Sequence, residues 1–160
     1  LPALLAYDAT VELVGRDGAT RLVAVSDFWR GPGITTLQPG EMAVSVRLPP
    51  PPAGLRSFYY KLAVRKAMDL AMVGIAVTLV PGEGGPQNVR IALGAVAPVP
   101  FRASEAEAAV QRGGAAAIEE AAVLAASAAS PIDDQRASAA YRREMVRVLT
   151  ARGLRQLLSS

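Results

Sequence analysis

Four consecutive prolines, Pro49 to Pro52, constrain this chain more than any other feature. Each fixes φ and removes a backbone donor, so the run is neither helix nor central strand and serves as a stiff, extended spacer. It divides 160 residues into segments 1–52 and 53–160. A chain of this length buries a sizeable core, which suits one domain, or a small domain with a remnant of another.

Before the spacer, the alternation from Thr10 to Val14, the Asp17-Gly18 turn and the apolar run from Thr20 to Val25 predict a hairpin. Gly31-Pro32-Gly33 and Pro39-Gly40 bracket a loop. Met42, Val44, Val46 and Leu48 alternate with Ala43, Ser45 and Arg47, which predicts a half-buried strand. After the spacer, Leu55 to Leu62, Leu70 to Val80 and Val89 to Val96 read as three strands of an antiparallel sheet, with Phe58 and Tyr60 on one face. Ser104-Glu105-Ala106-Glu107 fits a capping box opening a helix that stops at Gly113-Gly114. A second helix is expected from about Ala115 to Ala126. A third is expected to open with Asp133 or Asp134 as N-cap and to bury Ala137, Tyr141, Met145 and Leu149, with Val148 beside them. Strands followed by helices indicate an α+β fold.

The chain contains neither Cys nor His. That removes thiolate metal sites, iron–sulfur ligation, disulfides and Ser-His or Cys-His catalysis from its own repertoire. Absence of Cys is compatible with the cytoplasm. The longest apolar stretch, around Ala121 to Ala129, is interrupted by Ser127 and falls far short of the ~20 residues a membrane span needs. Net charge is +3, but bases and acids are interleaved, which argues against a nucleic-acid-binding run.

The densest polar constellation is Tyr59-Tyr60-Lys61, Arg65-Lys66 and Asp69. Cations beside aromatic rings suit an anionic or electron-rich ligand. A strand edge kept soluble by its charges is the alternative, and composition alone favours it. Gly31-Pro32-Gly33 lacks the Lys-Ser/Thr of a phosphate loop and reads as a connection. Glu119-Glu120 and Asp133-Asp134 suit helix surfaces and caps rather than acid–base chemistry. Arg142-Arg143 and Arg147 are expected on a solvated or partner-facing side, and Trp29 beside Phe28 in packing.

Four patterns occur in order: DFWRGPGITTLQPGEMAVSVRLP (27–49), YYKLAVRKAMDLAMVGIAV (59–77), VRIALGAVAPVPFRA (89–103) and DDQRASAAYRREMVRVL (133–149). Together the chain resembles the medium, FAD-binding subunits of the molybdenum hydroxylases, of the carbon monoxide and xanthine dehydrogenase type. The resemblance implies that residues 1–52 end a FAD-binding α+β domain. It implies that 53–160 form a C-terminal domain of a three-stranded antiparallel sheet packed with three helices. It further implies a cytoplasmic electron-transfer role, from a 2Fe-2S small subunit through FAD to an external acceptor, beside a large subunit carrying the molybdenum cofactor. Lys61 matches a flavin-contacting lysine and Ala43 a backbone flavin contact, while Arg65, Lys66 and Asp69 match a charged loop near the flavin. The family's glycine-rich phosphate-binding segments would lie upstream of Leu1, so these 160 residues alone are expected to hold FAD weakly or not at all. A docking module without FAD binding is the alternative.

Overall fold

In the computed structural model of the chain, residues 1–65 and 68–159 are described. Lys66, one of the candidate residues, lies outside them.

The N-terminal segment opens with helix α1 (Pro2–Ala6), whose proline occupies the first turn, where its missing N–H costs nothing. Strands β1 (Thr10–Val14) and β2 (Thr20–Ala24) form the expected hairpin, with Val11 opposite Val23. A turn of helix, α2 (Val25–Phe28), leads to a small ribbon of β3 (Trp29–Gly31) and β4 (Ile34–Thr35). Phe28 and Trp29 meet edge to face at 5.0 Å. Strand β5 (Met42–Arg47) returns along β1, giving sheet order β2-β1-β5.

The half-buried reading of β5 is corrected. Met42, Val44, Val46 and Leu48 are 47–65% exposed. A bulge breaks the alternation, because Ser45 lies opposite Glu12 while Ala43 lies opposite Leu13, leaving Val44 as the extra residue. Ala43 and Val46 therefore share a face with Val11 and Leu13, while Met42 turns to the other. As the outer strand of its sheet, β5 is also covered less than β1.

Beyond the prolines, β6 (Arg56–Leu62), β7 (Val73–Val80) and β8 (Gln87–Gly94) form the expected antiparallel sheet. A two-residue fourth strand, β9 (Phe101–Arg102), extends it in the order β6-β7-β8-β9. Helix α3 (Ser104–Gly113), a single 3₁₀ turn (Gly114–Ala117), α4 (Ile118–Ala128) and α5 (Ala139–Leu158) cover one face. Val73, Ile75, Val77 and Leu79 alternate into that core, against Val110, Ala121, Val146 and Leu154. The intervening residues are small: Gly74 and Ala76 on β7, Ala92 and Gly94 on β8. Helix α1 sits on them, with Pro2 against Gly74 and Gly94, and Leu5 and Ala6 in a second core with Ala76 and Ala92. Thr78 Oγ1 donates to the Ala6 carbonyl at 3.1 Å. β7 is thus buried on both faces almost throughout.

Four helical expectations are corrected. The capping box does not form: Ala103 is the N-cap of α3, and its side chain makes no cap bond. Glu107 is instead buried against the sheet, where its carboxylate accepts from Ile91 N (2.9 Å), Arg102 Nε (2.8 Å) and Arg102 Nη2 (2.6 Å). The N-cap of α5 is Ser138, whose Oγ accepts from Tyr141 N at 3.2 Å. Asp133 accepts from Ala139 N (2.5 Å), the first residue of α5, and Asp134 accepts ahead of it from the Arg136 and Ala137 N–H groups. The buried face of α5 runs through Arg142, Val146, Leu149, Thr150, Gly153, Leu154 and Leu157, one residue on from the expected stripe. Tyr141 is exposed and Met145 only partly buried, while Leu149 lies in the core as expected. Arg142, expected on a solvated or partner-facing side, is buried because carbonyls and a carboxylate receive its guanidinium.

Candidate functional site

The pleat of β6 sends Phe58, Tyr60 and Leu62 to the helical face, with the rings of Phe58 and Tyr60 stacked at 6.5 Å. Tyr59 and Lys61 go to the opposite face, the one α1 occupies. Their cross-strand partners on β7 are Ala76 and Gly74, both too small to cover them. Tyr59 is accordingly 55% exposed, and Lys61 is exposed beside it. An aromatic ring and an ammonium therefore share one open surface.

The segment after β6 is tied back to it. Lys61 Nζ donates to the Asp69 carbonyl at 2.6 Å. The Asp69 carboxylate accepts from Arg65 N and from Leu70 N, each at 2.8 Å. These backbone donors, Arg65 first, hold the Asp69 carboxyl below its ordinary range against an opposing desolvation effect. Arg65 contributes its backbone to this arrangement while its side chain stays exposed. Around the same turn Val64, Met68 and Leu70 are 64–96% exposed, and Met68 has φ +51°. No apolar periodicity announced this protruding patch.

Sequence reasoning also missed what anchors the turn. Met72 N donates to the Leu62 carbonyl at 2.8 Å, closing its base. From α5, Arg142 Nη1 donates to the Met72 carbonyl (2.8 Å) and the Ala95 carbonyl (3.2 Å), and Nη2 lies 2.7 Å from Asp134 Oδ1. The Asp134 carboxyl is lowered to about 2, chiefly by the Arg136 N–H, with Arg142 adding to it. Leu70, Ile132, Arg136 and Arg142 line a cleft of about 480 Å³ beside this anchor. Helical spacing alone could not distinguish Arg142 from its exposed neighbour Arg143.

Of the candidate residues, Lys61, Arg65 and Asp69 therefore come together. Ala43 lies in the other sheet, exposed on β5 opposite Leu13. Among the described residues no group of three or more Asp or Glu side chains could hold a metal ion. No described helix is long and apolar enough to cross a membrane.

The helix-covered sheet and its exposed Tyr59–Lys61 strand lie within residues 58–157, which match the family described as the CO dehydrogenase flavoprotein C-terminal domain. The chain belongs to this family. Ahead of that flavoprotein domain, residues 1–51 match the FAD binding domain in molybdopterin dehydrogenase. The aldehyde oxidoreductase FAD-binding subunit of Escherichia coli K12 is 37% identical over 116 residues, 69% of this chain and 35% of that one. The glyceraldehyde dehydrogenase medium chain of Sulfolobus acidocaldarius is 31% identical over 156 residues, 96% of this chain and 54% of that one. A solved carbon monoxide dehydrogenase from Hydrogenophaga pseudoflava, lacking the Mo-pyranopterin moiety, superimposes with TM-score 0.92 at 32% identity. That match covers 99% of this flavoprotein-family chain and 55% of the solved one. The α+β architecture is the family's. The chain spans between about a third and somewhat over half the length of these relatives.

Proposed function

We propose that this chain is the C-terminal portion of the FAD-carrying subunit of a molybdenum hydroxylase. In that role it passes electrons from a 2Fe-2S small subunit through FAD to an external acceptor, beside a large subunit holding the molybdenum cofactor. The observation that carries the reading is the succession of two family matches, residues 1–51 and 58–157, on either side of the proline run. Residues 1–52 are the end of the FAD-binding domain and 53–160 the C-terminal domain.

The residues present fit the ring end of such a cofactor. Tyr59 offers an open aromatic face and Lys61 a neighbouring cation on the edge strand β6, beside the Gly74 and Ala76 positions that α1 covers. Ala43, on the exposed outer strand β5, offers its backbone. Arg65 adds a second positive charge. Bound FAD supplies a two-electron couple whose reduced ring is the more negative form. The Lys61 ammonium stabilises negative charge brought beside it, and the apolar flank of Tyr59 limits water on that side. Lys61→Met keeps the stem and removes the charge. In the flavin-loaded subunit it is expected to lower the flavin midpoint potential by some tens of millivolts, since about 30 mV corresponds to ~1.4 kcal/mol for two electrons. Spectroelectrochemical titration reads this directly, and an unchanged potential reduces Lys61 to a surface charge.

The exposed Val64, Met68 and Leu70 favour a second reading, a docking module without FAD binding. Retention of flavin absorbance by the assembled subunit through gel filtration excludes it.

A further inference from the structure

Of the 17 basic residues, only Lys61 and Lys66 are lysines, and Lys61 lies near the end of β6, just before the segment that Asp69 ties back. Every other cation is a guanidinium, a planar fork that keeps its direction. An ammonium on a four-carbon stem has no preferred direction of its own. A lysine that must present charge at one place therefore needs something to hold it, and the hydrogen bonds around Asp69 provide that.

The order of these bonds matters. Leu70 N and the Asp69 carbonyl belong to the same peptide unit, which is planar. The Asp69 carboxylate accepts from Leu70 N at 2.8 Å and so fixes that plane from its N–H side. The carbonyl on the other side of the plane then points to Lys61 Nζ, 2.6 Å away. The second carboxylate oxygen accepts from Arg65 N at 2.8 Å, tying the near end of the turn to the far end. At the base, Met72 N meets the Leu62 carbonyl, and Arg142 Nη1 donates to the Met72 carbonyl. The Lys61 head group is thus held through a chain that starts at a buried arginine and ends at an oriented carbonyl.

We infer that Asp69 is a positioning residue for Lys61: its carboxylate sets the 69–70 peptide plane and thereby fixes where the only described lysine carries its charge. The inference rests on the flavin-facing role given to Lys61 above. Asp69 does not touch the cofactor; it acts through its own backbone. Among the described residues, the groups facing its carboxylate are the Arg65, Leu70 and Val64 N–H groups and the Arg65 guanidinium, with Lys61 on its carbonyl. Because these donors keep the carboxyl ionised below its ordinary range, the arrangement persists through the neutral and mildly acidic range.

The test uses two variants and two readouts. In this chain, amine labelling at a fixed pH followed by peptide mass spectrometry reports on two side chains only, Lys61 and Lys66. Asp69→Ala is expected to speed labelling of Lys61 by roughly five-fold, the scale of losing one charge-assisted hydrogen bond at an exposed site. The Arg65 and Leu70 amides should lose hydrogen-exchange protection at the same time. Asp69→Asn retains an acceptor oxygen and should give an intermediate labelling rate. It also guards against a variant that fails to fold, which an unchanged thermal midpoint verifies. In the flavin-loaded subunit, Asp69→Asn should shift the flavin potential in the same direction as Lys61→Met and by less. Unchanged Lys61 labelling in both variants overturns the inference. So does a wild-type potential in Asp69→Asn alongside a shifted one in Lys61→Met, which leaves the flavin-facing reading of Lys61 standing. If Lys61→Met itself leaves the potential unchanged, that reading falls, while the labelling data still report on the clasp.

Discussion

A carboxylate near a helix start can be satisfied by its own first turn or by whatever lies beside it, and Glu107 takes the second course. The capping-box spacing was legible, but burial against β8 placed an unpaired Ile91 N–H and the Arg102 guanidinium within reach, and these bind an ionised group more strongly than a cap does. Asp134 and Glu41 behave similarly at other junctions. Asp134 meets the Arg136 and Ala137 N–H groups and Arg142, and Glu41 meets Arg21 and the Gln38 N–H. Both carboxyls are lowered to about 2, from ordinary values of 3.8 and 4.5. A folded-state value below the unfolded one adds stability that is complete above the unfolded value and is lost as pH falls through the folded one. The thermal midpoint is therefore expected to be level above about pH 5 and to drop between about pH 4.5 and 2. Asp134→Asn should remove part of that slope, and a midpoint independent of pH down to 2 would contradict the assignment.

At the level of elements, α5 shows what the sequence carried and what it did not. Its existence, and the burial of Leu149, followed from apolar spacing. The stripe was placed one residue early because Tyr141 and Met145 looked like core, while Arg142, Thr150 and Gly153 did not. No hydropathy pattern marks an arginine buried by carbonyls, or a glycine buried by an aromatic ring. Gly153 is such a case: a Cβ there would meet Phe58 Cδ1 at 2.6 Å. Gly→Ala within a helix ordinarily stabilises, by up to ~1 kcal/mol. Here Gly153→Ala is expected to destabilise by about 1–3 kcal/mol, because the ring of β6 must shift in a packed layer. The register makes a paired expectation. Leu154→Ala, at a fully buried site, should cost about 2–5 kcal/mol in urea unfolding, and Met145→Ala distinctly less. Equal losses would restore the earlier register. The same limit applies at the candidate site. Lys61 and Asp69 were singled out by charge density and family resemblance, but the bonds joining them depend on a turn whose shape only packing reveals.

For the molecule as a whole, the β6–β9 sheet has two unlike faces. One is built of Val, Ile and Leu against three helices, the other of Gly and Ala against one short helix. Small residues let α1 approach closely, and through it the N-terminal sheet is joined to the C-terminal one. Ala76→Leu keeps the strand hydrophobic but leaves no room for α1, and should cost about 1–3 kcal/mol. Its signature should be greater hydrogen exchange in α1 and β1 than in α5. Uniform exchange across both parts would mean that α1 is not the joint. The proline run ends β5, and that has a consequence for how the chain behaves in a crowd. A bare strand edge invites a neighbouring molecule to add its own strand, and fibrils grow when every residue of a segment can donate upward and accept downward. After Leu48 four successive residues have nothing to donate. Any intruding strand that zips along the exposed apolar β5 is halted there, so this open edge carries its own stop.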